Sequence, residues 1–199
     1  MVNDIRIDIS KLTLSYGRDA FIKDLSLKVN GPSVVKIYGS NGAGKTSLLR
    51  YIAGIFEGEQ REGSIELETQ QTIKLLDNTH SLIDDLSVSE NIKFFTKGTL
   101  LTRQQQKEIL IKVGMQEFQD DLVSILSSGM KRRIELAILL WASPNIVCLD
   151  EPDNFLDNNG MKVVDYLIKK TIQNKGIVLY SSLDEQKDRI GHDLKVDLD

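Results

Sequence analysis

The chain has 199 residues, 41% hydrophobic and 27% charged, with a formal net charge of -4 and a pI near 5.3. That length allows one domain with a sizeable core, or a core with a small appended lobe, and the acidic balance excludes broad attraction to nucleic acid or anionic lipid. The single cysteine, Cys148, excludes an internal disulfide framework and, lying in an apolar run, is read as a small packed hydrophobe.

Taken in chain order, the N-terminal stretch MVNDIRIDISK alternates polar and apolar residues and lacks the continuous apolar core of a signal peptide. Ile5, Ile7 and Ile9, then Leu12, Leu14 and Tyr16, predict two half-buried strands over 5–9 and 12–16. LSLKV at 25–29 alternates again, GPS at 31–33 makes a turn, and VVKIY at 34–38 is a short apolar strand suited to burial on both faces. Residues 45–55 have helical apolar spacing, and SIEL at 64–67 and TIKLL at 72–76 read as two further strands. From about Ser87 to Trp141 the period becomes helical (SENIKFF, RQQQKEILIKVGM, GMKRRIELAILLWA); IVCLD at 146–150 is a buried strand, 161–174 a helix and 177–180 a strand. Short apolar strands alternating with helices predict an α/β fold around a parallel sheet. The longest apolar stretch, which contains Ala137 to Ala142, falls far short of the roughly 20 residues a membrane-spanning helix needs. The chain is thus expected to be soluble, with any membrane role exerted through a partner.

Gly39-Ser40-Asn41-Gly42-Ala43-Gly44-Lys45-Thr46 matches G-x-x-x-x-G-K-[ST] between a predicted strand and a predicted helix, the context this pattern requires. Glycines let backbone N–H groups wrap phosphates, and the helix N-terminus adds partial positive charge. Lys45 is expected to reach the β- and γ-phosphates, Thr46 to ligate Mg²⁺, and Ser47 to complete the nucleotide-binding stretch. In IVCLDEP the strand ends on Asp150 and Glu151, at the carboxyl edge where open α/β sheets bind ligands. Two carboxylates at a strand end would by themselves be a solvated edge. Opposite a phosphate loop, Asp150 is read as holding Mg²⁺ through a water and Glu151 as polarising the attacking water.

Between these motifs lies Leu126-Ser127-Ser128-Gly129-Met130, opening a helix. It resembles the LSGGQ signature of ABC ATPases, with Ser128 and Met130 as departures. The motifs stand in that family's order and spacing over nearly the whole chain. The resemblance implies a P-loop NTPase with a RecA-like core, an N-terminal antiparallel β lobe and a helical subdomain. As one domain over 1–199, the lobe and phosphate-loop core would take about 1–80 and the helical part about 86–140, with the core resuming over 141–199. It also implies ATP and Mg²⁺ as ligands, adenine stacked on Tyr16, and Asp157 in the D-loop Asn154-Phe155-Leu156-Asp157. ABC ATPases work as head-to-tail dimers, so Ser127, Ser128, Gly129 and Met130 would act on a partner's ATP, in a homodimer or with a paired ATPase subunit.

Within the family the chain looks most like the ATP-binding subunit of the bacterial haem exporter of cytochrome c biogenesis, on its short length, GSNGAGKT, Glu90-Asn91-Ile92-Lys93-Phe94 and the Arg132-Arg133 pair after the signature. That implies integral membrane transporter subunits as partners and a peripheral place on the cytoplasmic face of the inner membrane. Soluble ABC ATPases acting on ribosomes or DNA carry two cassettes, coiled-coil arms or zinc-ligand cysteines, so no nucleic-acid partner is expected. Two positions depart from the family pattern. Asn78 stands where most members have the Q-loop glutamine; it keeps a carbonyl oxygen for Mg²⁺ or water but is one methylene shorter. The switch histidine should fall at Leu183, or at Ser182 if the strand is offset, and neither side chain can replace it. His80 and His192 are read as solvated. Intact Glu151 favours a slow ATPase; the alternatives are an ATP-gated binding module with little hydrolysis, or the ATPase subunit of an exporter for another substrate.

Overall fold

A computed structural model describes residues 5–67, 71–96, 102–154, 156–183 and 189–199. Residues 1–4 of the N-terminal stretch, Phe155 of the D-loop reading and residues 184–188 lie outside them. The strands are β1 (Arg6–Tyr16), β2 (Asp19–Asn30), β3 (Ser33–Tyr38), β4 (Glu59–Leu67), β5 (Ile73–Leu76), β6 (Ile146–Leu149), β7 (Ile177–Ser182) and β8 (Leu194–Asp197). The helices are α1 (Lys45–Ile52), α2 (Val88–Phe95), α3 (Arg103–Val113), α4 (Ser128–Ala142) and α5 (Asn158–Gln173). The chain divides into two compact units, Met1–Asp77 with Pro144–Glu151 and Lys169–Asp199, and Asn78–Ser143 with Pro152–Ile168.

The first unit holds an antiparallel sheet in the order β2-β1-β4 and a parallel sheet in the order β5-β6-β7-β3-β8. Sequence periodicity suggested two strands at 5–9 and 12–16 because the apolar phase switches between Ile9 and Leu12. The structure keeps one strand and absorbs the switch in a bulge: the register slips between Ile9 and Leu12, and Lys11 adopts φ 50°. Gly63 on β4 lies against this bulge at φ 81°, where a Cβ would come within 2.4 Å of the Ser10 and Lys11 carbonyl oxygens. Only glycine fits there. With the bulge in place, Ile7, Ile9, Leu12 and Leu14 all point into one core with Ile37, Leu48, Leu49, Cys148 and Leu179.

β3, β6 and β7 are buried along nearly their whole length, as central parallel strands covered on both faces must be. Cys148 is fully buried on β6, and desolvation pushes its thiol up to about 12, so it packs as a hydrophobe. The strand at 194–197 was not predicted; it joins the parallel sheet as β8, beside β3.

In the second unit α2 and α3 both pack on α4. α2 and α3 begin with reciprocal capping boxes, Ser87 with Glu90 and Thr102 with Gln105, which satisfy N–H groups that a helix start leaves open. The segment after Asn78 is pinned by Asn91, whose side chain accepts from the Ile83 N–H at 2.8 Å and donates to three carbonyls, and by backbone bonds between residues 84–89 and 119–124. Glu135 on α4 accepts from the Ser81 N–H at 3.2 Å, and burial raises its pKa. Among the described residues no helix is long and apolar enough to cross a membrane.

Candidate functional site

Glycine backbone angles shape the loop at residues 39–46. β3 ends at Tyr38, and Gly39, Gly42 and Gly44 then take φ values of 153°, 90° and 101° before α1 starts at Lys45. At Gly44 a Cβ would meet the Phe21 ring at 2.6 Å, so that position must be glycine. Among the described residues no side chain caps α1, and its first turn carries no acidic residue, which leaves its first N–H groups and positive end for an anion. The buried Lys45 Nζ donates to the Gly39 and Ser40 carbonyls at 2.7 and 2.9 Å.

Around the loop lies a cleft of about 360 Å³ lined by Tyr16, Phe21, Asn41, Gly42, Gly44, Lys45, Thr46, Ser47 and Glu151. Ser40 and Ala43 belong to the loop wall, with the Ala43 N–H donating to the Ser40 carbonyl at 3.2 Å. Tyr16 is 52% exposed and stacks on Phe21 at 5.2 Å with the rings 20° apart; Phe56 is also 5.2 Å from Tyr16. Neither phenylalanine was singled out from the sequence. The pattern predicted one aromatic, and the β1–β2 hairpin and the chain after α1 supply two more. Replacing Tyr16 with Ala is expected to weaken ATP binding by about 1–3 kcal/mol, the usual loss when a base loses its aromatic partner. Nucleotide titration followed by fluorescence or calorimetry checks this, and unchanged affinity would place the adenine elsewhere.

Asp150 follows β6 and is 1% exposed. The Thr46 hydroxyl donates to its Oδ2 at 2.8 Å, and the Ser181 hydroxyl donates to its Oδ1 at 2.6 Å. Ser181 Oγ also accepts the Glu151 N–H at 2.8 Å. Glu151 itself sits at φ 44°, a left-handed conformation uncommon for a residue with a side chain and often found at functional sites. Sequence reasoning missed Ser181 and weighed only Ser182 and Leu183. The signal is in the register: Leu149 pairs with Tyr180, so Asp150 and Ser181 come next, side by side. Ser181→Ala removes the hydroxyl that bridges both acidic positions. It is expected to cost about 1–3 kcal/mol of stability and to slow turnover, with Ser181→Thr retaining more of both; urea melts and phosphate release measure them.

Oxygen donors from Thr46 and Asp150 converge beside the loop, a donor set suited to Mg²⁺, which takes few protein oxygens and completes its shell with phosphate and water. Leu183 stands directly after β7 and is 49% exposed, while Ser182 closes β7 opposite Tyr38. His192 Nδ1 lies 3.4 Å from the Tyr180 hydroxyl, so this ring has a partner and is not simply solvated.

The remaining predicted site residues belong to the second unit. Asn78 is exposed and opens the segment that Asn91 pins. Ser127 caps α4, its Oγ accepting the Met130 N–H at 3.3 Å, with Ser128 and Gly129 in the first helical turn. Asp157 caps α5 by accepting the Gly160 N–H at 2.8 Å, and Arg133 Nη2 lies 2.8 Å from both its oxygens. The Gly160 N–H, with help from Arg133, holds this carboxyl below its usual range. His80 is exposed, as expected, with its Nδ1 3.4 Å from Glu135 Oε2.

A glycine loop between a central parallel strand and an uncapped helix, with a threonine and an aspartate converging beside it, defines a P-loop nucleotide-binding protein. Residues 22–154 match the ABC transporter family, and the chain belongs to that family. The cytochrome c biogenesis ATP-binding export protein CcmA of Mannheimia succiniciproducens is 33% identical over 194 residues, covering 92% of this chain and 89% of that protein. Its namesake from Pasteurella multocida is 31% identical over 197 residues, covering 93% and 92%. Among solved structures, a putative ABC transporter ATP-binding protein from Pyrococcus furiosus superimposes with a TM-score of 0.81 over 97% of both chains at 24% identity, a likeness of fold.

Proposed function

We propose that this chain is the ATP-hydrolysing subunit of a membrane ABC transporter that exports haem for cytochrome c biogenesis, and that its turnover is slow. The observation carrying the hydrolytic part is the chain of contacts Thr46–Asp150–Ser181–Glu151 beside the phosphate loop, which holds the Asp150 carboxylate and the Glu151 backbone next to that loop. The relatives named for cytochrome c biogenesis, similar over nine-tenths of the chain, support the transport part.

In this reading Tyr16 stacks the adenine, and Gly39 to Ser47 hold the phosphates through backbone N–H groups and Lys45. Mg²⁺, when bound, would supply charge stabilisation for the transferring phosphoryl group; Thr46 would ligate it and Asp150 would reach it through a water. Glu151 polarises the attacking water. Ser127, Ser128, Gly129 and Met130 present the N-terminal end of α4 to the ATP of a second subunit, with Asp157 at the same interface, so the active form is a two-fold dimer or a pair with a similar subunit. Leu183 brings no polar atom to the γ-phosphate, which supports slow hydrolysis. The chain acts at the cytoplasmic face of the inner membrane, held there by integral transporter subunits, with no nucleic-acid partner.

Affinity purification from solubilised membranes tests this assignment. The tagged chain is expected to bring down an integral membrane partner, and the complex to release phosphate from MgATP. Recovery with ribosomes or DNA and no membrane partner would overturn it.

A further inference from the structure

Resting on the nucleotide-site reading above, we propose that Asp199 is a positioning residue for the phosphate loop, holding the Gly39–Ser40 turn in its binding shape independently of Lys45. β8 runs parallel to β3, pairing Val35 with Leu194 and Tyr38 with Asp197, and the Leu198 N–H donates to the Tyr38 carbonyl at 3.0 Å. This pairing brings Asp199 to the point where the chain leaves β3 for the loop. Its Oδ1 and Oδ2 accept the Ser40 N–H at 2.8 and 3.0 Å, and the Ser40 hydroxyl donates to Oδ1 at 2.6 Å. The carboxylate is itself steadied, since the Asp199 N–H donates to Asp197 Oδ1 at 3.1 Å.

From the other side Lys45 Nζ donates to the Gly39 and Ser40 carbonyls. The first turn of the loop is therefore held between a carboxylate and an ammonium. The two contacts have different fates when nucleotide arrives. Of the three Lys45 N–H donors two are taken by these carbonyls, so serving the phosphates divides this cation between ligand and loop. The Asp199 contact uses the Ser40 N–H and hydroxyl, and nothing in that exchange requires it to break. With the Ala43 N–H bond to the Ser40 carbonyl, it is a tie that can keep the loop shaped while Lys45 is occupied.

Packing supports the same conclusion. A Cβ on Gly39 would touch Ala43 Cβ at 3.0 Å and both Leu198 Cβ and Asp199 Oδ1 at 3.4 Å, so the two residues that follow β8 rest directly on the loop. The Ser40 hydroxyl and N–H also hold the Asp199 carboxyl below its usual range, keeping it ionised and accepting at neutral pH. A negative group this near a phosphate site repels the ligand. If charge dominated, removing it would tighten nucleotide binding; if positioning dominates, removing it weakens binding.

The test is equilibrium binding of MgATP, MgADP and AMP to the full chain as wild type, Asp199→Ala and Asp199→Asn, with thermal unfolding as a fold control. Losing charge-assisted hydrogen bonds to a loop that must hold its shape is expected to raise Kd for MgATP and MgADP about tenfold in Asp199→Ala. Asp199→Asn keeps an acceptor for the Ser40 N–H and is expected within about threefold of wild type. AMP, which lacks the phosphates that the loop grips, should bind alike in all three. Amide exchange at Ser40, measured without nucleotide, should quicken in Asp199→Ala and not in Asp199→Asn. Unchanged or tighter MgATP binding by a folded Asp199→Ala, or an Asn variant as weak as the Ala variant, would overturn the positioning role. Wild-type protein that binds neither MgATP nor MgADP would overturn the nucleotide-site reading itself, a failure recognisable because it precedes any substitution.

Discussion

Glu151→Gln is expected to lower ATP turnover by about 10²–10⁴-fold while leaving ATP bound, the range for loss of a positioned general base. The substitution is well suited to the site. Gln is nearly isosteric, the residue's left-handed backbone and its N–H bond to Ser181 Oγ do not depend on the carboxylate, and neither Lys45 nor Thr46 is disturbed. Phosphate contacts persist while the water is no longer polarised, so an ATP-bound dimer should accumulate. Size-exclusion chromatography in MgATP reads the dimer, and phosphate release reads the turnover. A variant that hydrolyses at the wild-type rate would remove Glu151 from the reaction; one that stays monomeric at high concentration would count against a dimer formed without the membrane subunits.

The opposite change, a gain, is expected from Leu183→His. One transition-state hydrogen-bond donor in a preorganised site is worth about 10²–10³ in rate, and in the function proposed above the wild type lacks one, with Leu183, or Ser182 if the strand is offset, at the switch position. A buried leucine would have made the substitution hazardous. Leu183 is 49% exposed, just past the end of β7, so an imidazole can replace it without opening a cavity. Turnover of the stable variant should rise while MgATP affinity changes little, because the contact forms mainly as charge develops. Ser182→His is the companion variant, since Ser182 closes the strand and is half-buried. If both variants fold, as thermal unfolding shows, and neither hydrolyses ATP faster, the absence of that group does not limit the rate.

What could be read from the sequence is what local chemistry dictates. Gly39 to Thr46 announce themselves because wrapping a phosphate requires particular backbone angles within eight consecutive residues, and Gly44 has no room for a side chain. Asp150 and Glu151 were legible because the four buried residues before them could only be a central strand. The missed features all depend on register between distant segments. Ser181 reaches Asp150 only because Leu149 lies opposite Tyr180, a pairing across 31 positions that periodicity does not reveal. Phe21 and Phe56 join Tyr16 from separate segments. β8 did leave a trace, the alternation of Leu194, Val196 and Leu198, but polar neighbours in a four-residue strand made it faint. The change of apolar phase between Ile9 and Leu12 was visible and was taken as a strand break, when a bulge facing Gly63 carries the strand through it.

Single-turnover hydrolysis of radiolabelled MgATP, with the full chain in excess over nucleotide, tests most directly whether this site is an ATPase. Slow release of phosphate is expected from the wild type. Glu151→Gln should bind the nucleotide and release almost none, and Lys45→Ala should fail to bind it. Wild-type protein that holds MgATP and never releases phosphate, or release at equal rates from wild type and Glu151→Gln, would contradict an ATPase built on Lys45, Asp150 and Glu151.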